Sequence, residues 1–109
     1  MSLAPFILDE TSPGAFSLLL RDLDSYSHVF EAKGHSGNGY SWEAVARAVV
    51  ESSLAEIEIE FDSEADMFCA MSSDRTALAR LGEILAEGTR SPKVLRKLVA
   101  KLAPNSWDD

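Results

Sequence analysis

Glu56-Ile57-Glu58-Ile59-Glu60-Phe61 alternates acidic and apolar residues without a break. A helix would scatter these six side chains around its circumference, whereas a strand sends successive side chains to opposite faces. The stretch is therefore predicted to be a strand, with Ile57, Ile59 and Phe61 on a core and Glu56, Glu58 and Glu60 in water. The polar Asp62-Ser63-Glu64-Ala65-Asp66 then turns the chain into a second strand, Met67-Phe68-Cys69-Ala70-Met71, whose sulfur-bearing and aromatic side chains suit burial.

A second hairpin is expected near the start of the chain. Phe6-Ile7-Leu8 and the alternating Phe16, Leu18 and Leu20 form two strands joined through Thr11-Ser12-Pro13-Gly14. From Leu23 to Gly39 no period holds. Tyr26, Val29 and Phe30 suggest one short turn or strand, and Gly34-His35-Ser36-Gly37-Asn38-Gly39 an ordered loop.

Ser41 is the expected cap of the helix that follows, with Tyr40 before it packing on Val45 as a hydrophobic staple. Trp42, Val45, Ala46 and Val49 share one face, and Glu43, Arg47 and Glu51 another, which gives an amphipathic helix of roughly three turns. A second helix starts at Ser73 or Asp74, carries Ala77, Leu78, Leu81, Ile84 and Leu85, and is expected to stop at a left-handed Gly88. Ser91-Pro92 opens a third, with Val94, Leu95, Leu98, Val99 and Leu102 as its apolar stripe before Pro104. Asn105 to Asp109 is expected to be a loose tail. The order β-β-α-β-β-α-α predicts a two-layer α+β fold, an antiparallel sheet of about four strands with the helices on one face. Ile57, Ile59, Phe61 and Phe68 should share a core with Val45, Val49, Leu78, Leu81 and Leu98.

At 109 residues and 46% hydrophobic content, the chain is expected to form one domain, residues 1–109, able to bury a core without metal or disulfide staples. The lone Cys69 has no internal partner. No apolar run nears the roughly 20 residues that cross a bilayer, and Met1 to Pro13 lacks a secretory signal's basic flank, so the expected location is the cytoplasm. The net charge of −8 disfavours nucleic acid and anionic membrane, and favours a basic partner. The charge is uneven. Five basic residues, Arg90, Lys93, Arg96, Lys97 and Lys101, cluster near the C-terminus, while the first 88 residues hold five basic and sixteen acidic ones.

Motifs for chemistry fail on inspection. Gly34-His35-Ser36-Gly37 lacks the glycine a nucleophile elbow needs where Asn38 stands, and no histidine follows His35. No phosphate-binding loop is completed by the same glycines. An EF-hand loop beginning at Asp62 would place Met67 at its glycine and Ser73 at its glutamate. No metal, cofactor or catalytic residue is expected, and His28 is given no role. The glutamate row admits two readings: a solvated or aggregation-protected strand face, or a binding surface extending through Asp62 and Glu64.

Two blocks, Gly37-Asn38-Gly39-Tyr40-Ser41-Trp42-Glu43 and Phe61-Asp62-Ser63-Glu64-Ala65-Asp66-Met67-Phe68, together resemble the bacterial immunity protein 51 family. The resemblance implies a small non-enzymatic α+β protein that neutralises a cognate polymorphic toxin by direct protein-protein binding. It also implies structural parts for Trp42, anchoring the helix on the sheet, and for Glu64, ordering the hairpin. The row of like charges and the net charge make Glu56, Glu58, Glu60, Asp62 and Glu64 the expected partner-binding residues, facing a basic toxin. Gly37, Asn38, Gly39, Tyr40 and Trp42 form the expected structural motif. A different class remains open: a ligand-binding or enzymatic pocket near the glycine-rich loop 34–40, lined by His35, Tyr40 and Trp42.

Overall fold

The computed structural model describes residues 3–100. Strands β1 (Ile7–Ser12) and β2 (Ala15–Leu20) form the first hairpin, turned at Pro13-Gly14, where Gly14 has φ 78°, a conformation that favours glycine. A 3-10 turn at Asp24–Tyr26 runs into the short helix α1 (Ser27–Glu31), followed by α2 (Gly39–Ser53), β3 (Glu60–Phe61), β4 (Phe68–Ser72), α3 (Arg75–Arg90) and α4 (Pro92–Ala100). The four strands make one antiparallel sheet in the order β1-β2-β4-β3, so the α+β fold holds, with α1 adding a helix to the expected order β-β-α-β-β-α-α where Tyr26, Val29 and Phe30 suggest a turn or strand. Leu102, Pro104 and the expected tail lie outside the described residues.

The period of two decides which face of the sheet is covered. Leu18 and Leu20 on β2 and Phe68 and Ala70 on β4 are buried with Trp42, Val45 and Val49 of α2, Leu78, Leu81 and Leu85 of α3, and Leu95 and Val99 of α4. Ile57, Ile59, Phe61 and Leu98 pack against this core as half-buried neighbours, as their spacing predicts. Gly82 lets α3 lie on the sheet, since a Cβ there would stand 3.1 Å from the side chain of Leu18. Trp42 is the largest side chain in the core and has no exposed surface. Its indole meets the rings of Phe6, Tyr26 and Phe30 at centroid distances of 5.8, 5.9 and 5.4 Å, edge-on for the first two, the arrangement that aromatic quadrupoles favour.

Four local expectations are corrected. Asn38, not Ser41, caps α2: its Oδ1 accepts from the Ser41 amide at 3.0 Å, and the helix gains a turn, running from Gly39 to Ser53. Ser41 is buried inside the first turn, where its hydroxyl accepts from the Gly37 amide at 3.2 Å. Glu43 is not on the solvent face. It is buried and pairs with Arg47 at 2.9 Å, while the Arg47 guanidinium lies 4.8 Å from the centre of the Phe61 ring, so the pair clamps α2 to β3. The strand predicted over 56–61 keeps its alternating burial but pairs only at Glu60–Phe61. Leu54 to Ile57 is consumed in reversing the chain after α2, and the Ser72 hydroxyl donates to the Glu58 carbonyl at 2.8 Å in place of a ladder bond. Gly88, finally, is helical and buried in α3. A Cβ there would meet the Leu95 side chain at 3.3 Å, so this glycine permits close packing of α3 on α4 instead of stopping the helix.

The two sequence blocks meet in space. Glu64 and Met67 exchange both backbone hydrogen bonds, at 2.8 and 3.1 Å, which leaves Ala65-Asp66 as the tip of a tight turn. Gly39, the first residue of α2, donates its amide to the Ala65 carbonyl at 3.0 Å. A Cβ on Gly39 would collide with the carbonyl oxygens of Glu64 and Met67. The hairpin is thus ordered by the backbone of Glu64, whose side chain is exposed.

These contacts set the cost of three substitutions. Trp42→Ala should destabilise the protein by about 3–5 kcal/mol, the range for emptying a buried aromatic site. Trp42→Phe should cost much less, because it also removes an indole Nε1 that is buried without a hydrogen-bond partner among the described residues. Gly39→Ala should cost about 1–3 kcal/mol by forcing the turn away from the helix. Thermal and denaturant melts measure all three, and an unchanged melting temperature for Trp42→Ala would remove Trp42 from the core.

Candidate functional site

Residues 7–20 and 56–73 contain eight carboxylates and neither lysine nor arginine. The whole sheet is therefore built from acidic and uncharged residues, and the strand period sorts them. The face opposite the helices holds Ile7, Asp9, Ser17, Leu19, Cys69 and Met71, continued on the β3 side by Glu58, Glu60 and Asp62. Apart from the buried Cys69, none of these is a core hydrophobic residue. Asp9, Glu58, Glu60 and Asp62 are exposed, Leu19 and Met71 are half-buried, and the small Ser17 and Cys69 are sunk between larger neighbours. Ile7 is 45% exposed.

The five residues expected to meet a partner do not stay together. Glu58 and Glu60 line a depression of about 400 Å³ with Thr11, Ala15, Met71 and Ser73, and Asp62 lies next along the same face, its amide bonded to the Cys69 carbonyl at 3.0 Å. Glu64 is exposed at the hairpin. Glu56 belongs to the turn after α2 and lines a separate depression with Arg80. Asp9, on the far edge strand, joins the acidic face although its own neighbourhood in the sequence gives no hint of it; only the strand order brings it opposite Glu60.

The pocket expected beside the glycine-rich loop takes another form. A depression of about 280 Å³ is lined there by Arg21, Asp22, Asp24, Gly37, Asn38 and Asp66, while Trp42 is sealed in the core and cannot face a ligand. Gly37 has φ 77° and packs on Ser27, a Cβ there lying 2.8 Å from the Ser27 Cα. The loop's chemistry is conformational: it delivers Asn38 as a cap and Gly39 to the hairpin. Among the described residues, no group of three or more His, Cys, Asp or Glu is placed to hold a metal ion, and no helix is long and apolar enough to cross a membrane.

A model of the family described as immunity protein 51 matches residues 6–104. The chain belongs to the immunity protein 51 family. The match spans every strand and helix of the fold, including both sequence blocks that meet at Gly39. No curated protein and no solved structure matches the chain. The sheet carries carboxylates and no lysine or arginine, whereas the helices carry both signs: Glu31, Glu51 and Glu87 are exposed on them, as are Lys93, Arg96 and Lys97 of α4.

Cys69 reports on this face. Burial pushes its thiol pKa up, with the carboxylates of Asp62 and Glu43 adding to the shift. The thiolate is thus disfavoured in the folded chain, and the unfolded chain releases its proton first, so this residue's contribution to stability falls as pH rises past the ordinary thiol range. Alkylation of the native protein should be slow at neutral pH, with a pH–rate midpoint above that of an exposed thiol. Asp62→Asn should lower that midpoint without restoring the ordinary value, because burial is the larger cause. Iodoacetamide kinetics followed by mass spectrometry would show it, and an ordinary midpoint in the parent would mean that the face opens to solvent.

Proposed function

We propose that this chain is a non-enzymatic immunity protein that neutralises a cognate toxin in the bacterial cytoplasm by direct contact. The observation that carries the reading is the family match over residues 6–104. The acidic sheet supports its electrostatic half. A surface built without a single lysine or arginine would steer a cationic toxin domain into contact and disfavour acidic competitors. Glu58, Glu60 and Asp62 are the centre of the toxin-facing surface, with Glu64 and Glu56 at its margin.

Steering of this kind weakens with salt. The Debye length shrinks from about 30 Å at 0.01 M to about 10 Å at 0.1 M, so association with the toxin should slow over that range and affinity should fall with it. Glu58→Lys combined with Glu60→Lys should leave folding nearly intact, since both side chains are exposed, yet reduce protection of cells expressing the toxin. The measurement is survival on co-expression, set beside stopped-flow association rates at several salt concentrations. A folded double variant that binds and protects like the parent would return the glutamate row to a solvated strand face.

A further inference from the structure

Reading straight across the sheet, the register gives two rows of side chains on the face away from the helices. One runs Asp9, Ser17, Met71, Glu60 and the other Ile7, Leu19, Cys69, Asp62. The carboxylates stand at the outer strands, β1 and β3, and the apolar groups lie mostly between them. Three strand spacings of about 4.8 Å separate those outer strands, roughly 14 Å in all. An α-helix with its side chains is about 10–12 Å across. The floor has the width of one helix and the rails have the charge to hold basic side chains on both of its flanks.

We infer that this face is the seat of a single amphipathic helix of the toxin, its apolar stripe on Ile7, Leu19 and Met71 and its lysines and arginines reaching Asp9 on one side and Glu58, Glu60 and Asp62 on the other. The inference rests on the toxin-neutralising reading and names the footprint and the partner's chemistry. Helices already cover the other face of the sheet, and an antiparallel sheet commonly leaves its second face open, so this face is free to receive a toxin helix. Long basic side chains suit it because their stems lie along apolar surface while their charged ends reach the rim. A second copy of this chain is a poor occupant. Among the described residues its basic helix is α4, which has Leu95 and Val99 buried in its own core and offers no free apolar stripe.

The test is calorimetric titration of the full chain with the toxin domain encoded beside it, using variants whose folding is checked by circular dichroism. Ile7→Asp is suited to this because the side chain is 45% exposed. It should weaken binding by about tenfold or more, the effect of spoiling an apolar anchor, and should do so at high salt as well as low. Asp9→Lys should weaken binding chiefly at low salt. Arg96→Glu with Lys97→Glu, on α4, should bind like the parent. Carbodiimide cross-linking should join Asp9 to lysines on one flank of a single toxin segment and Glu60 to lysines on its other flank, those within each flank spaced three, four or seven residues apart. If Glu58→Lys with Glu60→Lys weakens binding while Ile7→Asp and Asp9→Lys do not, the seat is only the β3 edge; the inference falls and the toxin-binding reading stands. If the parent itself does not bind the toxin, the functional reading fails first and takes the inference with it. A dimer of the chain alone, dissolved by Ile7→Asp, would place a second copy on the face and overturn the inference.

Discussion

The first residue of α2 rests directly on the backbone of the β3–β4 turn, at a separation that admits a hydrogen atom and no larger side chain. Much of the architecture hangs on that contact. Gly39 hydrogen-bonds to Ala65, which fixes where the helix begins over the sheet, and three residues later the same helix drives Trp42 into the aromatic cluster. One turn further on, Arg47 reaches over Phe61 while holding Glu43. A helix that started even slightly higher would lift the indole from its neighbours and separate the guanidinium from its ring. The two blocks by which the family is recognised in the sequence are therefore the two sides of one backbone contact, and their shared role is to set the helix on the sheet.

The faces of the elements were legible from the sequence and several of their limits were not. Alternation over 56–61 and the helical spacing of Trp42, Val45 and Val49 name the buried sides correctly because burial is imposed residue by residue, with the period of the backbone. Where an element starts or stops depends on partners distant in the chain. The short ladder of β3 follows from a serine hydroxyl on β4 that takes over the Glu58 carbonyl. The continuation of α3 through Gly88 follows from Leu95 on the next helix filling the space beside it. The capping of α2 by Asn38 moves Ser41 from a surface position to a buried one, and both residue types are good caps, so the local sequence does not choose between them. The acidic row was visible as a strand pattern. Its partnership with Asp9, Leu19 and Met71 was not, since it requires β4 to insert between β2 and β3, and that order is a property of the whole chain.

A row of like charges along a strand edge is unfavourable for folding taken alone, and this sheet tolerates it in part by leaving the row outside the ladder. Only Glu60 of the three glutamates lies within a paired segment; Glu58 and Glu56 precede it. Such an edge also resists pairing with other chains, because extending the sheet would bring more backbone against uncompensated carboxylates. Solubility therefore favours acidic residues at these positions, and the recognition proposed above would make the same demand. The charge that keeps one chain from another is the charge that a basic surface would neutralise, and only the sheet side is of a single sign, since the helices carry both.

The central ladder carries a consequence for how the chain reaches this state. β1 and β2 are joined by a two-residue turn, and α3 and α4 by a single residue, Ser91; both pairings are local. The pairing of β2 with β4 joins Phe16–Leu20 to Phe68–Ser72 across roughly fifty residues, so its loop entropy must be overcome before any of its bonds form. Until then β2 presents an open inner edge bearing Leu18 and Leu20, with no acidic residue of its own to discourage a stranger. The interval between synthesis of the first hairpin and arrival of β4 is thus the stage at which this edge is open to pairing with another chain.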